Sequence, residues 1–150
     1  MSGSPSMRSD DLRVAAVIQR FEALQRDDLS RMVTLYTEDA SFKDPFNEVR
    51  GVVAIEQVFR HMFVALEGPR FVIREAVVQA DQCFLTWDFM FRMRRFSNEE
   101  QVIHGASHLR FAPDGRIAMH RDYWDVAEEL YEKLPLLGGL MRWLKRRANS

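Results

Sequence analysis

Hydrophobic positions in the first third of the chain recur at helical spacing and predict three helices. The first is expected from about residue 12 to residue 26, and a short second helix is expected to follow Asp28 as its N-cap. The third is predicted from about residue 51 to residue 66. The positions expected to face the core are Val14, Val17, Ile18, Phe21 and Leu24, then Leu29, Met32, Val33 and Tyr36, then Ile55, Val58, Phe59, Met62 and Phe63.

Beyond the third predicted helix, the pattern changes to extended segments separated by turn residues. Residues 71–125 predict four long strands, with turns at 80–82, 97–99 and 113–115. A brief extended segment, residues 40–43, comes earlier and runs into Asp44-Pro45. Helices followed by strands indicate an α+β domain, in which we expect three helices on one face of a bent antiparallel sheet.

The two ends of the chain differ from this central domain, which is predicted at residues 11–126. Residues 1–10 are rich in serine and lack the apolar core of a signal peptide, so a disordered leader is expected. Residues 127–150 form a tail in which Pro135 separates a first helical stretch, 126–134, from a basic amphipathic one, 136–147. In the favoured interpretation, Leu and Trp side chains pack this tail against the domain or a twin subunit. A membrane-surface anchor is the less favoured alternative, because the stretch is short and single.

Composition and charge narrow the function classes. A net charge of −1 gives no basic field for nucleic acid. The single Cys83 excludes an internal disulfide and a cysteine-based zinc site, and no apolar run approaches the roughly 20 residues needed to span a bilayer. His104 and His108 would lie about 13 Å apart on a strand, too far to share a metal. We therefore expect a cytoplasmic protein with no metal and no cofactor.

Three stretches resemble the ketosteroid isomerase family. They are Tyr36-Thr-Glu-Asp-Ala-Ser-Phe-Lys-Asp44-Pro45 followed by Arg50-Gly51, Val17-Ile-Gln-Arg-Phe21, and His108-Leu-Arg-Phe111 before the Gly115 turn. The resemblance covers residues 12–125. It implies the cone-shaped fold shared by nuclear transport factor 2 (NTF2), ketosteroid isomerases and SnoaL-type cyclases, in which a curved, mostly antiparallel sheet surrounds an apolar pocket.

The resemblance also implies site residues. The family's general base is an aspartate directly before a proline, which is Asp44 here; the alternative is a turn residue whose carboxylate binds nearby backbone amides. The family's oxyanion positions are Phe21 and Ser107 in this chain, and a further pocket tyrosine is replaced by Phe59. Because phenylalanine donates no hydrogen bond, true steroid isomerisation is disfavoured. Tyr36 matches a supporting tyrosine of some members.

The last predicted strand carries a second acid–base candidate. Because side chains alternate along a strand, His120, Asp122 and Trp124 share one face, and His120 and Asp122 lie roughly 7 Å apart. The resemblance places this face in the pocket; the alternative puts Ile117, Met119 and Tyr123 inside instead. Trp87 lies on an alternating apolar strand and is assigned to the pocket wall with the other candidates.

Two function classes remain open. The first is a cofactor-independent enzyme of the isomerase, cyclase or hydratase type, in which Asp44 or the His120–Asp122 pair moves a proton on a small hydrophobic carbonyl compound. The second is a non-catalytic module that binds a hydrophobic ligand or a protein partner. A homodimer is expected through the outer sheet face, which would carry His104, His108 and Arg110.

Overall fold

Six strands form one curved sheet in the computed structural model, which describes residues 9–93, 97–129 and 135–149. The strands are β1 (Tyr36–Lys43), β2 (Glu48–Arg50), β3 (Glu67–Gln79), β4 (Gln82–Met93), β5 (Ser97–Phe111) and β6 (Ile117–Tyr123). Their order in the sheet is β2-β1-β6-β5-β4-β3. β1 and β6 pair in parallel, and the other neighbours are antiparallel. The sheet is therefore mostly antiparallel, as the pattern predicts.

Three helical segments precede the long strands. They are α1 (Leu12–Glu22), α2 (Leu29–Met32) and α3 (Val52–Ala65), and short 3-10 turns flank α2 at Arg26–Asp28 and Val33–Leu35. Asp11 begins α1, because its side chain accepts hydrogen bonds from the first backbone amides, those of Arg13 and Val14. α1 packs on β3, and α3 packs on β1 and β3. The helices thus cover one face of the sheet.

Several local expectations need correction. α1 ends at Glu22 rather than near residue 26, and Asp28 caps α2 with no side-chain hydrogen bond. Tyr36 is the first residue of β1 instead of a helical position, because the backbone there pairs with Ile117 of β6. The predicted turn at 97–99 is also wrong, since Ser97 begins β5. Residues 94–96, which connect β4 to β5, lie outside the described residues.

The core lies between the helices and the inner face of the sheet. Alternate residues of β4 are buried, and so are the α1 positions predicted from the helical pattern. The buried set from these two elements is Val14, Val17, Ile18, Phe21, Cys83, Leu85, Trp87, Phe89 and Phe91. Among the described residues, the buried polar side chains are Ser107 and His120, together with the phenol of Tyr36. Polar chemistry is therefore confined to one part of this core.

The tail contains two helical segments, α4 (Val126–Glu129) and α5 (Pro135–Ala148). The start of the first predicted tail helix is observed, and its remainder, residues 130–134, lies outside the described residues, as does most of the predicted leader, residues 1–8. Pro135 opens α5, a position where proline's missing N–H costs no helical hydrogen bond. Within the described ranges, no helix is both long and apolar enough to cross a membrane.

Candidate functional site

His120 occupies the centre of the inner sheet face. It lies on β6, where its partners across the sheet are Phe42 of β1 and Leu109 of β5. The side chain is 3% exposed and is surrounded by the rings of Phe21, Phe42 and Tyr36. The strand alternation therefore places His120 and Asp122 on the cavity side, while Tyr123 on the opposite side is 48% exposed. Of the alternative set, Ile117 is also buried, whereas Met119 is half-buried and Tyr123 is exposed, so the alternative holds only for Ile117.

Five side chains form a continuous hydrogen-bonded relay through this core. The Tyr36 hydroxyl lies 2.7 Å from His120 Nδ1, and His120 Nε2 lies 2.6 Å from Asp122 Oδ1. Ser107 Oγ donates to the same Asp122 oxygen over 2.5 Å, and Trp87 Nε1 donates to Ser107 Oγ over 2.9 Å. The relay joins residues of β1, β4, β5 and β6. Buried polar side chains are stable only when they are paired in this way.

One arrangement of protons satisfies the whole relay. Burial, with a contribution from the negative charge of Asp122, holds the pKa of Tyr36 well above its usual value, so the phenol keeps its proton. Tyr36 then donates to Nδ1 of His120, which leaves the Nε2 proton to be donated to Asp122. A carboxylate at Asp122 accepts from both His120 and Ser107. Asp122 is therefore held in place by two donors on one oxygen.

The relay borders two spaces that share part of their walls. The inner cavity has a volume of only about 10 Å³, room for at most one water. Beside it lies an outer pocket of about 390 Å³, within the range of small-molecule sites. Asp122 and Trp87 line both spaces, whereas His120 and Ser107 line only the inner cavity. The walls shared by the two spaces are completed by Phe59 and Phe71. A ligand in the outer pocket would therefore meet the relay at Asp122.

The outer pocket is mostly apolar. Its polar lining residues are Asp44, Asn47, His61 and Asp122, apart from the indole of Trp87. The remaining wall consists of Phe42, Phe46, Val58, Phe59, Met62, Ala65, Leu66, Phe71, Phe89, Phe91, Met93, Ile103 and Trp124. Trp124 packs edge-on against Phe46 at the pocket rim, with ring centroids 5.6 Å apart. Such a pocket suits a compact hydrophobic molecule carrying few polar atoms.

Asp44 lines the outer pocket, but its carboxylate is occupied by the turn that follows β1. Its Oδ1 accepts from the backbone N–H groups of Phe46, over 2.8 Å, and Asn47, over 2.6 Å. The Asn47 side-chain amide donates to both carboxylate oxygens over 3.1 Å. Both interpretations of Asp44 thus hold in part: it faces the pocket, and it stabilises the Asp44-Pro45 turn. The second role leaves its oxygens less available to a substrate.

The positions that the resemblance assigns to an oxyanion hole carry no donor for a ligand. Phe21 and Phe59 pack with their ring centroids 6.0 Å apart and fill the space beside His120. The hydroxyl proton of Ser107 is used on Asp122. His61 and Asn47 are pocket residues that sequence reasoning missed. The helical spacing of His61 from Val58 and Met62 is a signal that could have placed it near the apolar stripe, but only the pocket outline shows that it borders a ligand space.

Trp87 reaches Ser107 because the residue opposite it on β5 has no side chain. Trp87 pairs with Gly105 across the β4–β5 ladder. A Cβ atom at Gly105 would lie only 2.3–2.7 Å from three atoms of the indole ring. The absence of a side chain at residue 105 therefore lets the indole lie flat across β5 and present its N–H to Ser107.

The remaining histidines of the sheet lie on its outer face. His104 Nδ1 lies 2.6 Å from Asp88 Oδ1, and Arg74 Nε donates to Asp88 Oδ2 over 2.7 Å. His108 stacks on Phe84, with ring centroids 4.2 Å apart. Among the described residues, no group of three or more histidine, cysteine or acidic side chains has the geometry of a metal site. The outer face is thus separate from the relay.

Solved structures with the same fold are numerous. A protein from Catenulispora acidiphila with a ketosteroid isomerase-like fold, solved with trimethylamine, is 16% identical with a TM-score of 0.72, covering 85% of this chain and 96% of its own. An epoxide hydrolase of Mycobacterium tuberculosis, described as LEH-like, is 20% identical with a TM-score of 0.66, covering 89% and 96%. A SnoaL-like polyketide cyclase, so designated provisionally, from Shewanella putrefaciens is 14% identical with a TM-score of 0.67, covering 84% and 90%.

These similarities establish the NTF2-like fold that the sequence predicts. No curated protein is similar enough to be called a relative of the chain. The sequence itself matches the SnoaL-like domain from residue 17 to residue 120, a span that begins within α1, ends within β6 and includes four of the five relay residues, with His120 at its end. Since this match covers more than half of the 150 residues, the chain belongs to the family of SnoaL-like domains.

Proposed function

We propose that the chain is a cofactor-independent acid–base enzyme that moves a proton on a small hydrophobic carbonyl compound, with Asp122 as the general base. The observation that carries the proposal is the position of Asp122 between the relay and the outer pocket. Its Oδ1 is held by Ser107 and His120, and its carboxylate also lines the space of about 390 Å³. A base fixed in orientation beside its substrate typically contributes 10²–10⁴-fold to a rate.

The proposed step uses the second oxygen of Asp122. Both hydrogen bonds from Ser107 and His120 reach Oδ1, and no described residue donates to Oδ2. Oδ2 would take a proton from the carbon next to the substrate carbonyl, and the bonding electrons would move to the carbonyl oxygen. Asp122 then returns this proton to another position of the enolate. Where the enolate carbon instead attacks a second carbonyl and forms a C–C bond, Asp122 gives the proton to the resulting alkoxide oxygen, and the carboxylate is restored. Tyr36 and Trp87 act as positioning residues, because their hydrogen bonds go to the groups that hold Asp122, and Trp87 also forms part of the outer pocket wall.

The lack of donors at the positions that the resemblance assigns to an oxyanion hole narrows the substrate class. Phe21 and Phe59 cannot donate to an enolate, and the Ser107 proton is used on Asp122. A simple ketone would therefore gain little stabilisation of its developing charge. A carbon acid flanked by two carbonyl groups spreads that charge within the substrate itself. Activated, largely apolar dicarbonyl compounds are thus the preferred substrates, and fold relatives described as a polyketide cyclase and an epoxide hydrolase support small-molecule chemistry in this fold.

Deuterium exchange tests the proposal. A panel of hydrophobic 1,3-dicarbonyl compounds is incubated with the protein in D₂O, and loss of the proton between the carbonyl groups is followed by NMR. Asp122→Asn should slow the catalysed exchange by at least about a hundredfold, because the amide is not a base. Asp44→Asn is the matched control: asparagine keeps an oxygen for the turn amides, so exchange should stay within a few-fold of wild type. Equal losses in both variants would contradict the assignment to Asp122.

A non-catalytic binding module is the second candidate. It is favoured by one observation, namely that Phe21 and Phe59 fill the space beside His120 and leave an inner cavity of only about 10 Å³. In that case the relay would only stabilise the core, and the outer pocket would hold a hydrophobic ligand without turnover. Ligand affinity unaffected by Asp122→Asn, together with no exchange above the buffer rate across the panel, would favour the binding module.

A further inference from the structure

Helix α5 presents an amphipathic surface that the acid–base proposal does not use. It spans 14 residues, Pro135–Ala148, and the side chains of residues 142–149 are exposed. Three apolar side chains described on it are about half exposed: Leu140 at 51%, Trp143 at 48% and Leu144 at 45%. The expectation that the tail packs against the domain or a twin subunit stays a prediction, because other apolar side chains of α5 lie outside the described residues. Half-exposed Leu and Trp side chains close together on a helix are a candidate binding surface.

The same helix is the most basic part of the chain. Residues 135–149 contain four cations, Arg142, Lys145, Arg146 and Arg147, and no acidic residue. The whole chain has 21 basic and 22 acidic residues, so the part outside residues 135–149 has 17 and 22, a net charge of −5 against +4 on residues 135–149. This asymmetry means that an anionic surface would attract α5 and repel the remainder. Charge thus specifies which side of the molecule would approach such a surface.

We propose that α5 binds the surface of an anionic lipid bilayer. A helix with Leu and Trp on one side and most of its Arg and Lys on the other has the composition of helices that lie in the plane of a membrane interface. Trp143 is suited to the boundary between headgroups and acyl chains, and the guanidinium of Arg147 lies over its ring at 5.5 Å from the centroid. The helix lies on the bilayer and does not cross it.

Charge also argues against a second copy of this chain as the occupant. If α5 packed on its own counterpart, eight cations would come together with no acidic residue from either helix, because residues 135–149 contain none. An anionic bilayer supplies both an apolar layer for Leu140, Trp143 and Leu144 and a negative surface for the cations. The two requirements are met together by one partner.

Vesicle binding of the full chain tests the proposal. Co-sedimentation with vesicles of phosphatidylglycerol and phosphatidylcholine in equal parts is compared with pure phosphatidylcholine vesicles, at low and at high salt. Binding should require the anionic lipid and weaken as salt rises. Lys145→Gln/Arg146→Gln should lower the affinity by about thirtyfold, since each cation near an anionic bilayer is worth about fivefold. Arg26→Gln/Arg31→Gln, which removes two exposed cations elsewhere, should bind as wild type does.

Tryptophan fluorescence shows whether α5 itself meets the lipid. The chain has three tryptophans, so the difference between wild type and Trp143→Phe isolates the emission of Trp143. That difference spectrum should shift to shorter wavelength on adding anionic vesicles. The proposal would be overturned if the vesicle affinity were the same with and without anionic lipid and were unchanged by Lys145→Gln/Arg146→Gln. A second result would also overturn it: the wild type is a dimer that does not bind vesicles, and Trp143→Ala/Leu144→Ala converts that dimer to a monomer. The surface of α5 would then be the interface with a second copy.

Discussion

Tyr36 sets the direction of hydrogen bonding along the relay from its buried end. The phenol is 1% exposed, and its raised pKa keeps it a donor to His120 Nδ1. His120 must then direct its own N–H to Asp122, which holds the carboxylate at Oδ1. One hydroxyl, on the neighbouring strand β1, thereby fixes the imidazole tautomer on which the proposed base depends.

Removing this hydroxyl should destabilise the protein and disturb the relay. Tyr36→Phe leaves His120 Nδ1 buried without its donor, which typically costs about 1–3 kcal/mol in the free energy of unfolding. Urea denaturation measures that loss, and ¹⁵N chemical shifts of His120 should report a mixture of tautomers where wild type has one. Tyr123→Phe, on the exposed opposite side of β6, is the control and should change neither quantity. An unaltered His120 spectrum in Tyr36→Phe would contradict the assigned direction.

Asp88 on the outer face should contribute to acid sensitivity. Hydrogen bonds from His104 and Arg74 hold the pKa of its carboxyl below the usual value. A carboxyl with a lowered folded-state pKa stabilises the fold above the unfolded value, about 4, and this stabilisation is lost as pH falls through the folded value. The free energy of unfolding, measured by urea denaturation from neutral pH to pH 2, should therefore fall more steeply below about pH 4 in wild type than in Asp88→Asn. If the free energy of unfolding falls equally with pH in both proteins, the hydrogen bonds from His104 and Arg74 do not stabilise the Asp88 carboxylate.

Strand alternation was sufficient to predict that His120 and Asp122 lie side by side, because they are two positions apart on one strand and share a face. The other relay contacts join residues far apart in sequence. Tyr36 and His120 are separated by 84 positions, and Trp87 and Ser107 by 20. Such contacts depend on strand register, which a single sequence does not specify here. The occupied carboxylate of Asp44 was likewise one of two alternatives until its turn geometry was known.

At the scale of elements, the β4–β5 ladder depends on the close approach of Trp87 to Gly105. Gly105→Ala would place a methyl group against the indole, and the ring would have to leave Ser107. We expect a loss of about 1–3 kcal/mol in the free energy of unfolding, typical of overpacking, and an altered Trp87 emission. Gly139→Ala in α5 is the matched control: nothing lies within 4 Å of its added Cβ, so stability should not fall. Equal effects at both glycines would contradict a specific role for residue 105.

The helical pattern predicted which residues are buried better than where elements end. Val14, Val17, Ile18 and Phe21 are all buried as expected, because an apolar stripe has one face to bury. The predicted end of α1 and the predicted helical position of Tyr36 were wrong. Tyr36 continues the helical spacing of Leu29 and Met32, yet it pairs with Ile117 in a parallel ladder. Pairing between distant strands overrides local periodicity, and no local residue signals it.

At the scale of the whole molecule, the fold is much better determined than the activity. The NTF2-like architecture is common to proteins as different as an epoxide hydrolase and a polyketide cyclase, at 20% and 14% identity to this chain. A shared fold therefore carries no specific reaction with it. The activity must be argued from Asp122 and its pocket, while the fold explains why a relay from four strands can converge there.

The outer face of the sheet supports a further proposal, a homodimer. Val77, Phe84, His108 and Arg121 lie opposite one another in register and form a row across four strands. Two members of this row are exposed apolar side chains, Val77 at 63% and Phe84 at 46%. Burial and the nearby charge of Arg110 lower the pKa of His108, so His108 adds little charge at neutral pH and Arg121, at the end of the row, is its charged member. A sheet face whose row is apolar and exposed at Val77 and Phe84 is a surface that a second copy can cover.

Sedimentation measures this proposal directly. Wild type at concentrations of about tens of micromolar should sediment with twice the 17.6 kDa mass of the chain. A stable dimer interface typically buries about 800 Å² on each partner. Phe84→Arg places a charge in the middle of the row and should give a monomer whose far-UV circular dichroism is unchanged. Val53→Arg alters a comparably exposed apolar residue on α3, away from the sheet face, and should leave the dimer intact. A monomeric wild type would remove the proposal, and a dimer that survives Phe84→Arg but not Val53→Arg would move the interface to the helical side.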